Sequence, residues 1–170
     1  MNWNAIGAIA ELIASVAVII SLIYLAIEVH QNTQALKRQG QKSARERFLT
    51  DLDQTTRTQV DAEVWRNGLN DFDNMAPADQ GCFHSKMHPL IHGFHHAWDM
   101  HRARLVPDVE LEAMRDVLIS YLITPGAQQW WTMHKSVAPP DIVHYLDEAA
   151  TNAQDSIAPA TERFSWLRNK

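Results

Sequence analysis

Cysteine is nearly missing from this chain: Cys82 is the only one among 170 residues. No intramolecular disulfide can form, so the fold rests on packing, and a reducing compartment suits it. Glycine is also scarce, with six residues that nowhere cluster. That excludes a glycine-rich phosphate loop, and with it the usual sequence support for a nucleotide. No segment alternates apolar and polar residues at a period of two for long enough to make a strand. Lysine and arginine are absent from the first 36 positions. A secretory signal peptide needs a basic n-region and a small-residue cleavage site. Met1-Asn2-Trp3-Asn4 supplies no basic side chain, and Ile27-Glu28-Val29-His30 is a poor cleavage site.

What fills this region is an apolar run from Ala5 to Val29, in which only Glu11 and Glu28 carry charge. As a helix it would measure roughly 37 Å against a hydrocarbon core of about 30 Å. The alternative of a buried core helix fits less well, because Leu12 to Ile27 has no polar face beyond Ser15 and Ser21. The run predicts a transmembrane helix over residues 1–30. Lys37, Arg38, Lys42, Arg45 and Arg47 follow it directly. By the positive-inside rule they orient it in a bacterial inner membrane, with the N-terminus outside, Trp3 at the outer interface and the C-terminal domain cytoplasmic.

Small residues recur along one side of that helix at spacings of three and four: Gly7, Ala10, Ala14, Ala17 and Ser21. Small side chains let a second helix backbone approach closely, so the expected partners are membrane lipid and, through this seam, a second copy or another transmembrane protein. Glu11 lies beside the seam. A carboxylate in hydrocarbon costs about 2 kcal/mol or more, so it either joins the helix interface or snorkels to the outer headgroups.

From Asp51 onward seventeen acidic residues face ten basic ones, a net charge of −7 with histidine neutral. An acidic domain behind a basic collar argues against a nucleic-acid partner. About 120 residues remain beyond the span and collar, enough for one compact domain. The expected organisation is a transmembrane helix (1–30), a basic juxtamembrane extension of it (31–54), a helical domain (55–151) and a loosely held tail (152–170). The expected class is all-α, a membrane helix continuing into a small cytoplasmic bundle.

Within the bundle, a short helix near residues 61–68 should turn Val60, Val64 and Trp65 inward. Pro77 suits the first turn of a longer helix reaching about Arg104, with Phe83, Met87, Leu90, Phe94 and Ala97 as its core stripe and a kink near Pro89. Pro107 opens the next, whose core side is Leu111, Met114, Leu118, Tyr121 and Leu122. Thr124-Pro125-Gly126 starts a short helix in which one of Trp130 and Trp131 should be core and the other a surface or contact residue. Pro139 and Pro140 start a last helix through Ile142 and Leu146. Cys82 reads as a buried structural thiol.

Five of nine histidines fall between His84 and His96. On a helix His84, His88, His92, His95 and Asp99 share an arc of roughly 80° beside the apolar stripe. Two readings stay open. One is a solvated polar face that uses histidine, with no cofactor; the other is a metal site for Zn or another divalent transition metal, since imidazoles four apart can chelate together. No Glu-x-x-His tetrad or His-Glu-x-x-His motif accompanies them, and His134 and His144 stand alone. Several imidazoles on one face would also charge together as pH falls through about 6.5.

Three segments carry a resemblance: Tyr24-Leu25-Ala26-Ile27 leading into Gln31-Asn32-Thr33-Gln34-Ala35-Leu36, then Val64-Trp65-Arg66-Asn67-Gly68-Leu69, then Thr124-Pro125-Gly126 followed by Trp130-Trp131. The chain resembles a family of short bacterial single-span membrane proteins that share an AIGAIAE-like opening and a TPG-x-x-x-WW segment. The resemblance implies architecture and no activity. The functional expectation is a non-enzymatic single-pass protein acting through helix packing and protein–protein contact, as a homo-oligomer or an accessory subunit; the alternative is a metal-binding or metalloenzyme domain.

Overall fold

The first proline is Pro77. Nothing therefore stops the apolar run and the Gln-, Lys- and Arg-rich segment behind it from forming one helix. In the computed structural model, which describes residues 3–153 and 156–168, that helix is α1, Trp3–Asp53. It is followed by α2 (Gln59–Asn70), α3 (Pro77–Arg102), α4 (Asp108–Leu122), α5 (Pro125–His134), α6 (Pro140–Ala153) and the single turn α7 (Ala160–Arg163). No strand occurs among the described residues, and the class is all-α. The chain divides into two units, Met1–Gln39 and Gly40–Lys170.

In the first unit every side chain from Glu11 to Leu36 is exposed. The hydroxyls of Ser15 and Ser21 donate to the carbonyls of Glu11 and Ala17, both at 2.8 Å, so the two polar groups in the middle of the run are satisfied within the helix. By length and composition this is one helix able to cross a membrane, and none of its apolar stretch is buried.

The second unit begins earlier than the expected boundary between residues 54 and 55. Ala44 and Phe48, four apart on one face, belong to the hydrophobic core. Gly40 makes their approach possible, because a Cβ there would stand 3.0 Å from the Leu105 Cβ. The second half of the 31–54 segment is thus part of the bundle rather than only an extension of the span.

A capping box starts α2: Thr58 accepts from the Asp61 amide, and the Asp61 carboxylate accepts from the Thr58 amide. Lys86 reaches across from α3 to Asp61 at 2.7 Å, which helps hold that carboxyl below the usual range. The buried face of α2 is Val64, Trp65, Gly68 and Leu69, whereas Val60, expected inside, is exposed. Pro77 stands in the first turn of α3, and Phe83, Met87, Leu90, Phe94 and Ala97 are fully buried as the spacing predicts. The helix runs unbroken through Pro89.

At the start of α5 a Cβ on Gly126 would collide with the Gly68 carbonyl oxygen, so α2 and α5 pack backbone to backbone. This close docking buries both Trp130 and Trp131, not one of them. Trp131 Nε1 donates to Asp147 Oδ1 at 2.7 Å, which satisfies its polar end. The segment expected to be a loose tail is packed: Ala160 and Leu167 are fully buried, and Asn70 Nδ2 donates to the Leu167 carbonyl at 2.7 Å. Of that tail, residues 154, 155, 169 and 170 lie outside the described residues. Cys82 is exposed rather than buried.

Candidate functional site

The register of α3 that turns Phe83 and Met87 into the core leaves His84, His88 and His92 along one flank, one turn apart. Beside this flank α5 presents Trp130 and, one turn on, His134. The four imidazoles form a continuous row, His92–His88–His84–His134, with successive ring centroids 4.2, 5.3 and 4.5 Å apart. Trp130 closes the end of the row, its ring stacked on His134 at 4.9 Å and 15°.

Hydrogen bonds assign the protons at this end. Trp130 Nε1 donates to His84 Nδ1 at 3.2 Å. An indole N–H can only donate, so His84 keeps its lone pair on Nδ1 and its proton on Nε2. His134 Nδ1 donates to the Trp130 carbonyl at 2.9 Å, which leaves the lone pair of His134 on Nε2. At the other end His88 Nε2 and His92 Nε2 share a proton across 3.1 Å.

Charge is unwelcome at two of these rings, His84 and His92. Desolvation first, then the neighbouring His134 and His88, pushes the His84 ring below the ordinary imidazole value. His92 is pushed the same way by desolvation and by His88, His95 and Arg47. His88, His92 and His134, together with Ile91, Trp130 and Val137, line a recess of about 20 Å³. That is room for one water-sized sphere.

The five residues singled out from the sequence do not assemble as one site. Among the described residues no three His, Cys, Asp or Glu groups converge closely enough to hold a metal ion. His84, His88 and His92 belong to the row. His95 instead pairs with Asp99, Nε2 to Oδ2 at 3.7 Å, with its ring against Trp98. The missing member was His134, which stands alone in the sequence but stacks on His84. Its position one turn after Trp130 was legible; that α5 docks against this flank of α3 was not.

On the N-terminal helix, Gly7, Glu11, Ala14, Ala17 and Ser21 are all exposed, while the side chain of Ala10 lies outside the described residues. The Ser21 hydroxyl is already bonded within its own helix. No family model, curated protein or solved structure matches the chain.

Proposed function

We propose that this is a single-pass membrane protein that acts through helix packing and protein–protein contact rather than catalysis. In this reading it is anchored in a bacterial inner membrane with its bundle in the cytoplasm, as a homo-oligomer or an accessory subunit of a membrane complex. One observation carries the reading: from Ile9 to Val29 the large apolar side chains are 48–66 % exposed, on a helix long enough to span. Water does not tolerate an apolar surface of that size, and a bilayer does.

Two features support contact with protein as well as lipid. The seam from Gly7 to Ser21 offers close backbone approach, and Glu11 beside it gains from a polar partner in an apolar medium. Orientation follows from the five basic residues after the span.

Cys82 provides a direct test, being the only thiol and exposed. In intact cells a membrane-impermeant maleimide should leave it unlabelled, and permeabilisation should label it. Labelling in intact cells would reverse the orientation. Release of the protein from membranes by alkaline carbonate would remove the spanning reading itself.

A further inference from the structure

Helical neighbours four apart bring two imidazoles to one side, but only some rotamers aim their lone pairs at a common point. His88 and His92 bring their Nε2 atoms together, 3.1 Å apart. Imidazole nitrogens bind Zn²⁺ and similar ions at about 2.0–2.1 Å, so this separation corresponds to a ligand–metal–ligand angle of roughly 100°. That lies between the square-planar and tetrahedral values. We propose that His88 and His92 chelate one divalent transition-metal ion, Cu²⁺ or Zn²⁺, through their Nε2 atoms, with water completing the coordination.

The surroundings fit an ion of this kind. Both rings are exposed, so water can reach the remaining coordination positions. The pair borders the recess of about 20 Å³ against Trp130 and His134. On binding, the ring that donates through Nε2 moves that proton to its own Nδ1 by exchange with water, so each neutral ring carries its one proton on Nδ1, both Nε2 lone pairs go to the metal, and no net proton is released.

The same reasoning excludes the neighbours. His84 accepts the Trp130 indole proton at Nδ1, so its Nε2 bears hydrogen and offers no lone pair unless that bond breaks. His95 is turned to Asp99. The proposed ligand set is therefore a pair inside the original stripe and not the whole of it. It is independent of membrane insertion, since neither residue lies in the apolar helix.

The test is calorimetric titration of the full, untagged chain in detergent with Zn²⁺ and with Cu²⁺, with Cu²⁺ spectra recorded in parallel. One ion per chain is expected, with nitrogen hyperfine structure from two imidazoles. His88→Ala and His92→Ala should each weaken binding at least about tenfold, the loss of one arm of a chelate. The double variant His95→Ala/Asp99→Ala should bind as the unaltered chain does. Helical circular dichroism, measured on every variant, separates lost ligation from lost fold. Equal binding by the unaltered chain and His88→Ala, or equal loss in the His95→Ala/Asp99→Ala protein, would overturn the assignment.

Discussion

Leucine has opposite fates in the two units. Leu12, Leu22 and Leu25 are each more than half exposed, whereas Leu69, Leu90, Leu118 and Leu146 are fully buried. Burying one such side chain is worth about 1.5–3 kcal/mol. The second unit collects this repeatedly because its apolar residues alternate with polar ones at helical spacing, giving each helix one face to bury. The first unit is apolar around its circumference and has no preferred face except the slight one drawn by small residues. The same side chains are thus buried in protein in one unit and stand exposed in the other, and the two units meet in sequence at Gly40.

Removing residues 1–36 breaks the comparison most severely. The described core runs from Ala44 to Leu167, so the remaining chain should keep a cooperative thermal transition and move wholly from the membrane fraction to the soluble one. Cell fractionation and circular dichroism check the two halves of that statement. A truncated protein that stays in the membrane would mean that the bundle has its own membrane affinity.

Within the bundle the largest single effect is expected at Phe83. Its ring lies 5.3 Å from Trp65 and 5.6 Å from Phe72, and it is fully buried. Phe83→Ala should cost about 3–5 kcal/mol by cavity formation, read as a shift in denaturant midpoint, and should leave membrane partitioning unchanged. The same substitution logic applied to Leu22 predicts the reverse: little change in unfolding of the bundle.

The bundle was more legible than the site for a physical reason. Helical period and proline positions mark which residues of one helix face inward, and they placed the stripe from Phe83 to Ala97 and the side from Leu111 to Leu122. Spacing says nothing about which helix lies opposite. That both tryptophans are buried and that His134 joins the row was not legible, because the partners of Trp131 and His134 come from α6 and α3. The tail was misread because its anchor is distant in sequence: the Leu167 carbonyl accepts from Asn70, 97 positions away. Cys82 fails in the other direction: small apolar residues are usually buried, and one helical position turned it outward.

The seam should show a smaller effect. Ala14→Leu or Ala17→Leu enlarges the side chain where a second backbone would approach closely. A loss of partner retention or oligomer of roughly threefold to tenfold in mild detergent is therefore expected, with bundle stability untouched. If both variants retain partners fully, the first unit meets lipid alone and the contrast between the units becomes purely one of solvent.

The smallest expected effect is a pH dependence confined to the second unit. His84 and His92 are held below the ordinary value of 6.5 in the folded chain. As pH falls below 6.5 the unfolded chain takes up protons that the folded chain refuses, so stability is fully present above 6.5 and declines as pH falls toward the folded values. Asp61 and Asp147 are shifted downward from 3.8, so their contribution is lost only below that pH. Asp51, raised from 3.8 by burial, acts in the opposite sense near the same point. A decline that begins near pH 6.5 thus belongs to the imidazole row. Denaturant unfolding between about pH 5 and pH 8 should show it, and His84→Gln should flatten the curve because one proton-refusing ring is gone. An equally steep decline in His84→Gln would move the cause away from the ring that Trp130 holds.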